Sequence, residues 1–130
     1  MKTIKTGILI LVIAMLTACG VKRSVAGDYK QSGSNKSDAY QIATVRDDII
    51  EIYWFDKTTD TTSLYWAGTF DTKNKSNIIV NSKNNTSKTK GAMLASNDEY
   101  KKIEYKNGAI SYKMSIMGTT TTVKLEKTKN

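Results

Sequence analysis

Two aromatic clusters, Tyr53-Trp54-Phe55 and Tyr65-Trp66, are the residues of this sequence best suited to chemistry, and that chemistry is binding. Flat rings with a polar edge stack on sugars, take apolar ligands and fill partner interfaces. Two placements are open for the tryptophans. On the wall or at the mouth of a β-barrel, Trp54 and Trp66 would floor a ligand site; in the interior they would fill a core that has few other large side chains. Tyr53 or Phe55, if outward and contiguous with Ile49, would form a partner surface instead.

Bond-making chemistry has less to draw on. The chain has no histidine, which removes serine–histidine and cysteine–histidine nucleophiles and histidine-ligated metals together. Carboxylates remain, and a glycosidase-type pair is defined by distance in space. Asp47, Asp48, Glu51 and Asp71, however, fall at turns or at outward positions of strands, where a solvated role is expected. Asp56-Lys57-Thr58-Thr59-Asp60 lacks the spacing and the distal glutamate of a calcium loop and reads as a turn. The eight glycines are scattered and make no phosphate-binding pattern. The expectation is a non-enzymatic chain with no cofactor and no metal.

The single cysteine, Cys19, stands in a distinctive context. Lys2 and Lys5 give a positive start, Gly7 to Leu16 an apolar run, and small residues follow, the three parts of an export signal. The run is shorter than the about 20 apolar residues that span a bilayer. Leu16-Thr17-Ala18-Cys19 resembles the lipobox of bacterial lipoproteins. That resemblance implies a diacylglycerol thioether on the Cys19 sulfur and cleavage before it, leaving two acyl chains as a durable membrane anchor. The alternative is an ordinary cleaved signal that leaves one free thiol. Lipidation would commit that thiol, so packing and backbone pairing must hold the domain without a disulfide.

Residues 1–18 read as the signal, 19–38 as lipidated N-terminus and tether, and 39–130 as one β domain, with a first short strand around residues 26–30 inside the tether. The whole chain carries +8 at neutral pH, and loss of two signal lysines leaves +6. A basic balance favours an anionic partner such as phospholipid head groups or wall polymers, or simply solubility. Export argues against nucleic acid. The oligomeric state is not set by anything in the sequence.

The elements that must hold the aromatic clusters are short segments rich in Ile, Tyr, Trp, Val and Thr, separated by turn signals and without helical period. Asn107-Gly108 is a two-residue hairpin turn, because both residues tolerate positive φ, and it sets Tyr105 opposite Ile110. If Met117-Gly118 closes the next hairpin, Ile116 faces Thr119, Met114 faces Thr121, Tyr112 faces Val123 and Ile110 faces Leu125. The two turns then agree on one apolar face, Ile103, Tyr105, Ile110, Tyr112, Met114, Ile116, Val123 and Leu125, with Lys102, Glu104, Lys113 and Lys124 on the other. Asp47-Asp48 predicts a further hairpin with Ala43, Val45, Ile50, Ile52 and Trp54 inward, and Ile49, Tyr53 and Phe55 outward unless a bulge shifts the register. Leu64, Trp66 and Phe70 share a face by alternation. Ile78-Ile79-Val80 is predicted as a strand and residues 92–95 as one more. The sum is an all-β antiparallel meander of about seven to nine strands forming a small barrel, lipocalin-like, or a sandwich.

Residues 48–54, 63–70 and 115–120, among them Ile50-Glu51-Ile52-Tyr53-Trp54, Tyr65-Trp66-Ala67-Gly68 and Ser115-Ile116-Met117-Gly118, resemble a group of small exported proteins of Gram-positive bacteria and their mobile elements. The resemblance implies a shared β fold and an envelope address. Function is then expected to be a membrane-anchored binding module for a protein or envelope component, with immunity or exclusion as a special case; the second reading is a small-ligand carrier with an internal cavity. The contact residues under either reading are Tyr53, Trp54, Phe55, Tyr65 and Trp66.

Overall fold

The computed structural model describes residues 25–71 and 78–128. Eight strands run β1 Gly27–Gln31, β2 Ala39–Arg46, β3 Ile49–Asp56, β4 Thr61–Thr69, β5 Ile78–Lys83, β6 Tyr100–Lys106, β7 Ala109–Ile116 and β8 Thr119–Lys127, with a short helix α1 at Thr86–Thr89. They form one antiparallel sheet in the order β4-β3-β2-β1-β8-β7-β6-β5. Each half is a meander of sequential hairpins, and the β1–β8 pairing, Tyr29 opposite Lys127, joins the halves. Edge strands β4 and β5 meet at one bridge, Gly68 to Asn84, so the sheet is a nearly closed barrel and not a sandwich.

Three two-residue turns fix the register. Asp47 and Asp48, Asn107 and Gly108, and Met117 and Gly118 all have positive φ, as the primed hairpin turns require. Observed partners include Val45 with Ile50, Tyr105 with Ile110, Tyr112 with Val123 and Ile110 with Leu125, matching the alternation in the sequence. The core follows from that register: Ala43, Val45, Ile50, Ile52, Ile103, Tyr105, Ile110, Tyr112, Met114, Val123 and Leu125 are all buried.

Four features depart from expectation. Ile116, placed with the apolar face, is 48 % exposed because it ends β7 beyond the last inward layer. Leu64 does not share a face with Trp66: Ile52 pairs with Trp66 but Tyr53 with Leu64, so Tyr65 is the extra residue of a bulge in β4. Residues 92–95 are turn, and helical geometry occupies Thr86–Thr89 instead. Finally, β1 lies in the stretch read mostly as tether, and its pairing with both β2 and β8 makes it integral to the barrel. Cys19 and the signal lie outside the described residues.

Candidate functional site

The five aromatic residues divide into three environments. Trp66 is fully buried, and its indole Nε1 donates to Ser82 Oγ at 2.9 Å across the β4–β5 seam. Trp66 is therefore a core residue and a clasp between edge strands. Tyr53 and Phe55 face outward as expected but are half-buried. Tyr53 donates its hydroxyl to Glu51 Oε1 at 3.0 Å, and Phe55 packs on Tyr40 with ring centroids 5.4 Å apart, so neither adds an exposed apolar patch to Ile49. Trp54 and Tyr65 remain, and both line an open recess of about 610 Å³ at one end of the barrel.

Strand direction places that end. The turns at Asp47-Asp48 and Asn107-Gly108 lie at the opposite end, where Gly27 pairs with Val45 and the described chain begins. The Met117-Gly118 turn and the 84–99 connection belong to the recess end, called the mouth below. Its exposed rim mixes apolar and polar side chains: Leu94 and Ile116 line the recess at 56 % and 48 % exposure beside Asn97, Asp98 and Ser115, and the neighbours Met93 and Met117 are almost fully exposed. Asn84 fixes the rim. Its Nδ2 donates to Asp98 O at 2.8 Å and to Ser96 O at 3.4 Å, its Oδ1 accepts from Thr89 Oγ1 at 2.7 Å, and Ser96 N donates to Tyr65 O at 2.8 Å.

Beneath the rim the barrel interior turns polar. Lys101 lies on the inward parity of β6 and is only 7 % exposed. Its Nζ sits 5.1 Å from the Tyr65 ring centroid, 5.4 Å from Trp66 and 5.9 Å from Tyr112. Its oxygen partners are distant: Lys113 O at 3.5 Å and Asp98 Oδ2 at 3.6 Å, the latter on a side chain that is 66 % exposed. Desolvating an ammonium costs several kcal/mol. Each ring contact returns about 0.5–2 kcal/mol, so three aromatic faces, with two long polar contacts, are what offset that cost.

Gln41 lies in the same interior layer, opposite Trp54, and is fully buried. Tyr112, on the far side of the barrel, donates its hydroxyl to Gln41 Oε1 in a short hydrogen bond, while Gln41 Nε2 has no partner among the described residues. A buried orphan donor costs about 1–3 kcal/mol. Burial also pushes the Tyr112 hydroxyl well above its usual range, with Tyr65 adding to the effect, so Tyr112 stays a neutral donor.

The carboxylates singled out by type do not converge at the mouth. Glu51 bonds Lys88 Nζ at 2.6 Å on the outer surface, and that bond, reinforced by Tyr53, holds its carboxyl below the usual range against partial burial. Asp47 and Asp48 form the turn at the opposite end. Asp56 accepts from both the backbone and the hydroxyl of Thr58, closing the β3–β4 turn. Among the described residues no group of three acidic or thiol side chains is placed to hold a metal.

The arrangement can therefore take a ligand with an apolar body and a group that pairs with an ammonium. Composition pointed to Trp54 and Tyr65 but not to Lys101, Gln41 or Asn84. For two of these a signal existed: Lys101 has the parity of Ile103 and Tyr105, and Gln41 that of Ala43 and Val45, so alternation alone turns both inward. Protein-family models, curated proteins and solved structures were each compared with the chain, and none matches.

Proposed function

We propose that this chain is a membrane-anchored extracytoplasmic binding module, lipidated at Cys19, that recognises a protein or envelope component with the mouth of its barrel. The observation that carries the reading is the mouth itself: exposed Leu94 and Ile116 rim a recess walled by Trp54 and Tyr65. Contiguous exposed apolar surface on a small domain marks an interaction site. Met117 supports the same reading. It occupies a left-handed turn position, φ 50°, that Asn or Gly would hold at less cost, yet it presents an apolar side chain to solvent beside Ile116.

Anchoring adds direction. Five residues lie between Cys19 and Val25, so the six steps reach at most about 22 Å at 3.3–3.6 Å per residue. The described chain begins at the end opposite the mouth, so a lipid on Cys19 would hold that end at the membrane and turn the mouth away from it.

Photo-crosslinking side chains placed at Leu94, Ile116 and, as a control, Asn107 test the reading in bacteria carrying the anchored chain. Adducts from the two rim positions and none from Asn107 are expected, with intact mass showing a diacylated species that Cys19→Ala abolishes. Adducts from Asn107 alone would overturn the mouth as binding surface; an unmodified soluble chain would overturn the anchor. The small-ligand carrier remains the second reading, favoured by the unpartnered Gln41 amide in the interior.

A further inference from the structure

We infer that the mouth binds a small aromatic carboxylic acid, its carboxylate on the Lys101 ammonium and its ring against Trp54 and Tyr65. The inference rests on the second reading, a small-ligand site, placed at the same mouth, and names the chemistry that fits there.

Lys101 supplies the charge. Its buried side chain lines the recess, and the oxygen partners of its ammonium among the described residues lie at 3.5 Å and 3.6 Å. The group nearest to being its counter-ion is a carboxylate, Asp98 Oδ2 at 3.6 Å, on a side chain mostly in water. Asp98 thus occupies the place of the ligand's acid group without making a close contact, and little is lost when an incoming carboxylate displaces it. Lys101 and Lys113 both line the recess, Lys113 from an exposed position on β7 and Lys101 from the buried side, so the charge that meets an acid group in the interior is that of Lys101. Among the described residues that line the recess there is no arginine.

The body of the ligand follows from the walls. Trp54, half-buried, gives an aromatic wall; Tyr65 lines the recess at 7 % exposure with its ring stacked on Tyr112, and Met114 beside them is an unbranched side chain that adapts to a planar guest. The recess volume, about 610 Å³, lies in the range of small-molecule sites. Gln41, a fully buried amide donor with no partner among the described residues, is tied through Tyr112 to the rings around Lys101 but does not itself line the recess.

Isothermal titration of the full chain with benzoate and with benzamide reads the charge requirement. Saturable binding of benzoate in the millimolar range expected of a fragment-sized ligand, and none of benzamide, is the expected result. Lys101→Met should weaken benzoate at least tenfold, whereas Lys102→Met, which removes the same charge from the outward face, should change it less than twofold. Trp54→Ala leaves Lys101 in place and should likewise weaken benzoate at least tenfold, which keeps the test decisive if Lys101→Met fails to fold. Equal binding of benzamide, or equal loss with Lys101→Met and Lys102→Met, would overturn the inference. So would the absence of any benzoate binding. Rim crosslinks forming in cells where benzoate does not bind would leave the mouth as binding surface and remove only the aromatic acid.

Discussion

Three residues at or beneath the mouth break local rules. Met117 sits at φ 50° in a hairpin turn, a conformation that costs a side chain with a Cβ about 1 kcal/mol and that Asn tolerates. Met117 is 98 % exposed and gains no packing in return. Met117→Asn should therefore raise unfolding free energy by about 1 kcal/mol, read as a rise in the urea midpoint at unchanged slope. A fall in the midpoint would mean that the methionine packs in a way its exposure conceals. Gln41 breaks the rule that buried amides are satisfied, and Lys101 the rule that buried charges have close partners. None of the three was singled out by residue type, because a catalogue of reactive side chains finds carboxylates, thiols and histidines. Alternation would have found Gln41 and Lys101, since each continues an inward parity already set by apolar residues.

At the level of strands, the hairpins were legible because each is closed by adjacent residues: two positive-φ positions and the pairs on either side fix everything between them. The β4–β5 seam was not legible, because it depends on closure between the two meanders. Its bonds join residues far apart in sequence: Trp66 with Ser82, Thr69 Oγ1 accepting from Lys83 N at 3.0 Å, and Ala67 O accepting from Asn85 N at 2.7 Å. The β4 bulge at Tyr65 was invisible for a related reason, since it brings Tyr65 and Trp66 both into the core and simple alternation allows only one. Gly68 shows how tight the seam is. A Cβ there would lie 2.5 Å from Ser82 Oγ, 2.6 Å from Lys83 O and 2.7 Å from Trp66 Nε1, two of them groups that cannot swing away. Gly68→Ala should thus open the seam and cost at least as much as Ser82→Ala, which leaves the buried indole donor unpaired at about 1–3 kcal/mol. Amide hydrogen exchange would register both as faster exchange at Lys83 and Asn85, with the β7–β8 hairpin unaffected. Protection unchanged at Lys83 in Gly68→Ala would show that the seam yields without opening.

For the molecule as a whole, closure rests on apolar layers tied by two buried tyrosine hydroxyls, and this gives stability a defined dependence on pH. Tyr29 is 1 % exposed on the closing strand β1 and donates to Val25 O at 2.5 Å; Tyr112 is 3 % exposed on β7 and reaches across the barrel to Gln41. Burial pushes both hydroxyls above the ordinary value of 10.0, with smaller contributions from Tyr105 at Tyr29 and from Tyr65 at Tyr112. The folded state keeps these protons while the unfolded chain releases them above about pH 10, so the unfolded state then binds fewer protons and stability falls as pH rises. Their contribution is fully present below pH 10 and is lost as pH climbs toward the folded values. In that window each group lowers unfolding free energy by about 1.4 kcal/mol per pH unit. The expected result is that tyrosinate absorbance at 295 nm from Tyr29 and Tyr112 appears together with loss of the β circular-dichroism signal. Tyr112→Phe, which has one proton fewer to release, should flatten the alkaline dependence of the urea midpoint by up to that amount per pH unit, whatever it costs at neutral pH. An unchanged slope in Tyr112→Phe would mean that Tyr112 ionises within the folded barrel, and therefore that water reaches the Gln41 layer from the mouth.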